Sequence, residues 1–145
     1  MSEAARQRQI VVFNLRDEHY ALPIHEVHEI IRYTEPRSVA SRTAWVRGVI
    51  SLRGRIVPVY DIAARLGIKS ELGDDAKIVI VEAGNETAGV IVDSVEEVLT
   101  VSEQQIEEVP GADTALIDSI VRVDERLIVL LTLTTIFATP QPAPA

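Results

Sequence analysis

The stretch from Ile10 to Ile31, IVVFNLRDEHYALPIHEVHEII, and the stretch from Ile78 to Leu99, IVIVEAGNETAGVIVDSVEEVL, are two versions of one pattern. They align without a gap at a constant offset of 68, from 10 to 78 and from 31 to 99. Ile10, Val11, Val12, Phe13, Leu22, Ile24, Val27, Ile30 and Ile31 each meet an aliphatic residue. The polar reversals coincide as well, Arg16-Asp17-Glu18 over Gly84-Asn85-Glu86, and short polar residues suit a hairpin turn. Each copy reads as strand, turn, strand.

A second hairpin follows in each half. Val49, Ile50, Leu52, Ile56, Val57, Val59, Tyr60 and Ile62 match Ile120, Val121, Val123, Leu127, Ile128, Leu130, Leu131 and Leu133 at an offset of 71. Surface connections absorb such a three-residue change cheaply. Both halves then carry a short helical signal. Asp61 can cap Ile62 to Leu66 with Gly67 closing the turn, and Thr132 or Thr134 can open a turn through Phe137. Any Val- and Ile-rich β protein aligns with itself to some degree by chance. Two hairpins, two turns and a terminal helix falling in one order argue for duplication instead.

The even spacing of short strands predicts an all-β fold with short helices: two SH3-like five-stranded β-barrels packed together. The first is expected over 10–68 and the second, with a C-terminal helix, over 77–137, joined through 69–76. Residues 1–9 are polar and 138–145 rich in Pro and Ala, so both are set aside as flexible ends. Ile56, Val57, Val59 and Tyr60 are apolar on both sides of one strand, so one face should fill a barrel and the other meet its twin, leaving a cleft.

Composition narrows the function. A chain of 145 residues holds one ordinary domain or two very small ones that share a core. With 47% hydrophobic and 4% aromatic residues it is a β-rich globular chain and not a disordered one. A net charge of -8 opposes a phosphate backbone, so nucleic acid is not an expected partner. The absence of cysteine removes disulfides, thiolate metal sites and cysteine nucleophiles together. Met1 to Gln9 has no apolar signal segment and no apolar run approaches the ~18 residues of a span, so direct membrane insertion is not expected.

His25-Glu26-Val27-His28 does not have the histidine spacing of the zinc protease motif, and neither a metal site nor a cofactor is expected. The pairs Asp74-Asp75, Glu96-Glu97 and Glu107-Glu108 read as solvating charge, because neighbours on a strand point to opposite faces. No nucleophile elbow, phosphate loop or dinucleotide fingerprint occurs, so an enzyme is not expected. Two residues stand out. Arg53 is a planar guanidinium on a hairpin turn, either merely solvated or paired bidentately with a carboxylate and still able to meet a partner. Gly48 marks a tight bend or a close backbone approach.

The segment from Val46 to Ile62, VRGVISLRGRIVPVYDI, closely resembles the signature of CheW-like proteins, a Gly-Val-x-Asn-Leu-Arg-Gly followed by a Pro-Val-x-Asp-Leu strand. Val27-His28-Glu29-Ile30 and Val92-Asp93-Ser94-Val95-Glu96-Glu97-Val98-Leu99 are similar to that family at the corresponding places, so the likeness runs from about 10 to 137. Ser51 stands where the pattern has Asn, and Val39 to Thr43 lacks the Pro-rich loop expected before Trp45. These departures bear on loop-level partner preference.

The resemblance implies one CheW-like domain of two barrels, without catalysis or cofactor. It implies a cytoplasmic scaffold recruited to membrane-associated arrays. There it would bridge the cytoplasmic tip of methyl-accepting chemoreceptors to the regulatory domain of the histidine kinase CheA, with other CheW-like domains as further partners. It also implies Glu29 as the ion-pair mate of Arg53. It assigns Val27, Ile30, Gly48, Arg53, Val98 and Leu99 to a receptor-binding groove between the barrels, with Phe13 as further lining. Such a groove would take a helical tip on its apolar face. Periodicity alone reads Val98 and Leu99 as core, and for each of these aliphatics that reading stays open. Kinase contact is expected at an exposed edge of the first barrel, near Val39. An adaptor of another chemosensory pathway, such as surface motility, is the nearest alternative. A small-ligand module using the cleft is another, against which the low aromatic content argues.

Overall fold

The aligned stretches form the hairpins expected of them. The computed structural model describes residues 7–39, 45–69, 71–83, 85–109, 111 and 117–132. In chain order the elements are β1 (Gln7–Leu15), β2 (Glu18–Pro23), β3 (Val27–Arg32), β4 (Val46–Leu52), β5 (Arg55–Asp61), α1 (Ile62–Arg65), β6 (Lys77–Ala83), β7 (Glu86–Val92), β8 (Ser94–Ser102), β9 (Ile106–Glu107), β10 (Ile117–Val123) and β11 (Arg126–Leu131). Two 3-10 turns, Ile24–Glu26 and Glu103–Gln105, lie between β2 and β3 and between β8 and β9. The helical turn expected through Phe137, the end 138–145 and most of Val39 to Thr43 lie outside the described residues.

The strands form two sheets, in the orders β8-β1-β2-β11-β10-β9 and β3-β6-β7-β5-β4. Neither sheet follows the expected boundaries of 10–68 and 77–137. The hairpin β1–β2 pairs with strands of the second half, and β6–β7 pairs with strands of the first. The cause is local. Pro23 ends β2 and the 3-10 turn after it carries the chain into the other sheet, while the single residue Asp93 does the same between β7 and β8.

The duplication is exact to the register. Ile31 opposes Ile78 as Ile10 opposes Leu99, and the parallel pair Val59 with Gly89 repeats as Leu130 with Ala21. The irregularity between Val27 and Glu29 recurs opposite Val12 and Phe13, and the one between Val46 and Gly48 recurs between Ile117 and Ser119. The edges of each sheet are joined by one run of chain. Beyond β3, Arg37 bridges to Val49 of β4, and beyond β8 the strand β9 pairs with β10.

Three apolar clusters among the described residues follow from this. Ile10, Val12, Ala21, Val121, Ile128 and Leu130 fill the first sheet, and their counterparts Ile78, Ile80, Ile50, Val57 and Val59 fill the second. Between the sheets, Phe13, Leu15, Tyr20 and Leu22 meet Val79, Val81, Ala88 and Val90, with Ile62 and Ala63 of α1. Alternate residues of the first hairpin of each half thus serve different cores. In β5, Val57 and Val59 point to the sheet's own core and Tyr60 packs against the shared one, whereas Ile56 is 69% exposed. Gln7 to Gln9, expected as part of a flexible end, extend β1 against Thr100 to Ser102. Their side chains stay exposed, and the long edge strand β8 supplies the backbone partners. Asp61 caps α1 by accepting the Ala64 N–H at 3.0 Å.

Candidate functional site

β4 and β5 are joined by the two residues Arg53 and Gly54, with φ of 53° and 80°. Positive φ at both central positions is the type I′ geometry that matches strand twist. Glycine adopts it freely, whereas a left-handed arginine costs about 1 kcal/mol. From this turn the guanidinium meets Glu29 of β3 as a fork, Nη1 to Oε1 and Nη2 to Oε2, the latter at 2.9 Å. The hydrogen bonds from Arg53 hold the Glu29 carboxyl below its ordinary range and raise Arg53 in turn. β3 lies at one edge of its sheet, and the β4–β5 hairpin at the other. The pair therefore reinforces the link made by Arg37. The Arg53 side chain remains 68% exposed, with donor surface facing outward.

The other residues singled out fall on both sheets. Val27 packs against the shared core, and Ile30, on the outward side of β3, is 40% exposed. Gly48 is buried in β4 at a φ of 151°, where a Cβ would stand 2.1 Å from the Arg37 carbonyl oxygen. Val98 and Leu99 belong to β8 in the other sheet, Val98 being 52% exposed and Leu99 packed against that sheet's core. A partner touching all six must span both sheets. Phe13 cannot line a groove, because it is wholly buried and stacked on Tyr20 at 6.3 Å between ring centroids.

A cleft of about 780 Å³ opens beside α1, lined by Arg16 and Asp17 from the first sheet and by Asp61, Ile68, Lys69 and Asp93 among others. It contains none of the six residues above and is too polar to be the apolar trough expected between barrels. Among the described residues, no group of three or more His, Cys, Asp or Glu side chains is placed to hold a metal ion. His25 lies 3.9 Å from Glu26 and His28 3.7 Å from Glu82. Glu26 is pushed up mainly by burial, with a further rise from the Asp118 carboxylate. No helix among the described residues is long and apolar enough to cross a membrane.

The profile of the CheW-like domain matches residues 9–141. The chain belongs to the CheW-like family. A crystal structure of scaffolding protein TtCheW from Thermoanaerobacter tengcongensis superposes with a TM-score of 0.86 at 36% identity, over 92% of this chain and 94% of that one. A probable chemotaxis protein CheW of Rhizobium etli is 34% identical over 74 residues, 51% of this chain and 48% of the relative. Chemotaxis protein CheW of Bacillus subtilis is 30% identical over 81 residues (55% and 52%), and Protein PilI of Pseudomonas aeruginosa 33% over 84 (55% and 46%). The chain spans about half the length of the curated relatives it matches.

This CheW-like domain holds a second ion-paired cluster that the sequence reading passed over. Glu96 and Glu97 are not idle charge, since Arg126 donates to both, at 3.2 and 3.0 Å. Glu107 likewise accepts from Arg122 at 3.0 Å. The offset of 68 that carries Glu29 to Glu97 is the signal that points to the first of these.

Proposed function

We propose that this domain is a non-enzymatic scaffold that couples methyl-accepting chemoreceptors to the regulatory domain of the histidine kinase CheA, on the cytoplasmic side of receptor arrays. The observation that carries this reading is the Arg53–Glu29 fork, which fixes the β4–β5 hairpin tip to β3, one residue before the outward Ile30, while leaving Arg53 donors exposed. A partner helix would lay apolar residues against Ile30 and Val98, with Val27, Leu99 and Gly48 setting the shape beneath. The likeness to a scaffolding protein over nearly the whole chain supports the adaptor role. The kinase would meet an edge of the sheet that contains β3 and β4, near the exposed Val39. Titration of the full chain with a receptor signalling fragment and with the kinase regulatory domain tests this, and failure to bind either refutes it.

The match to Protein PilI favours a second reading, an adaptor of another chemosensory pathway such as one controlling surface motility. Here binding to receptors and kinases of that pathway, measured side by side with those of chemotaxis, separates the two.

A further inference from the structure

Glu97 occupies in β8 the position that Glu29 occupies in β3. The offset is 68, and the same bulge lies beside it, Val95 and Glu97 facing Phe13 and Val12 as Val27 and Glu29 face Val81 and Ile80. The acceptor is repeated but its donor has moved. The counterpart of Arg53 at an offset of 71 is Asp124, which cannot donate to a carboxylate when ionised. The guanidinium comes instead from Arg126, two residues later at the start of β11. Its Nη2 donates to Glu97 Oε2 at 3.0 Å and its Nη1 to Glu96 Oε1 at 3.2 Å. The bulge at Glu96 allows two neighbouring carboxylates, which would diverge in a regular strand, to face one arginine. His19 Nδ1 of β2 stands 3.2 Å from the same Glu96 oxygen.

Arg126 is thus the cation between two adjacent anions on an edge strand that has β1 on one side. At 32% exposure it is better shielded from solvent than Arg53. Without it, Glu96 and Glu97 repel each other next to Val98, and an edge strand yields more easily than a central one. On the functional reading just given, we propose that Arg126 is a positioning residue that holds the outward face of β8, with Val98, for the partner helix.

The test uses the full chain, R126A, E96Q/E97Q and the triple variant. A receptor signalling fragment is titrated by calorimetry, and amide hydrogen exchange is followed over residues 94–102. R126A should weaken binding ~3- to 10-fold and speed exchange over 94–102 more than elsewhere. In the E96Q/E97Q background, where the repulsion is gone, adding R126A should change little. Wild-type binding and unchanged exchange in R126A overturn the proposal. So does an equal loss in both backgrounds, because Arg126 would then be touching the partner itself. If the wild-type chain does not bind, the proposed function is what fails. The exchange measurement then decides the role of Arg126, and an undisturbed β8 overturns it.

Discussion

Replacing Gly48 by alanine tests how the second sheet is held together. The added Cβ would stand 2.1 Å from the Arg37 carbonyl oxygen and 2.6 Å from its carbon. Ordinary carbon–oxygen contacts begin near ~3.3 Å, so more than an ångström of movement is required. Both obstacles are backbone atoms, and no side-chain rotation can relieve them. If the chain beyond β3 withdraws, it loses the Arg37 N–H to Val49 O bond of 2.7 Å and the Val49 N–H to Arg37 O bond of 2.9 Å. Two such bonds contribute ~0.5–1.5 kcal/mol each, and a non-glycine residue at a φ of 151° adds ~1–3 kcal/mol of strain. The sum is about 2–6 kcal/mol. For a chain of this size that lowers Tm by roughly 5–20 °C, read by circular dichroism and urea unfolding. Gly54→Ala is the control, since its Cβ would meet nothing within 4 Å and only the left-handed φ of 80° is penalised. If Gly48→Ala costs no more than Gly54→Ala, the close approach to Arg37 is not what holds that edge.

Phe13→Ala, by emptying the shared core, should cost ~3–5 kcal/mol in urea unfolding. Arg53→His should leave Tm within ~2 °C, because an exposed pair adds little stability, yet weaken receptor binding; equal binding removes Arg53 from the contact face. Glu29, held low by Arg53, favours folding at neutral pH, and that contribution fades as pH falls below the ordinary 4.5 through the depressed value. Glu29→Gln should therefore flatten the acid limb of a stability curve. Glu26 has the opposite sign. Its raised carboxyl favours folding at low pH and loses that contribution as pH rises through a value above 4.5. Its Oε1 is buried without a hydrogen-bond partner among the described residues. Glu26→Gln should therefore raise stability at pH 7, by up to ~1 kcal/mol, and a drop in Tm would contradict the assignment.

The hairpins were legible because each is a local event, fixed by alternation and turn chemistry within about 20 residues. Which hairpin lies beside which was not, since Ile10 meets Leu99 across 89 positions (99 minus 10) and no local signal records that choice. The acidic pair at 96 and 97 was misread for a related reason. Strand alternation separates neighbours, but a bulge cancels it, and the bulge shows only in the pairing with β1. The family resemblance puts Phe13 in a groove, whereas its position in a strand buried on both faces assigns it to the shared core. Asp61 as a cap and Gly48 as a close approach were both readable, because each rests on the stereochemistry of a single residue.

The crossing of the hairpins has a consequence for how the chain comes into being. When synthesis has reached residue 76, β1 and β2 exist without β8 or β11, and β3 to β5 exist without the two strands that fill the centre of their sheet. The nascent first half is two unfinished sheets, with apolar faces waiting for residues not yet made. Neither sheet can be completed before the second half is made, so the two fold as one coupled unit, and until then the exposed apolar strands leave the first half prone to aggregation.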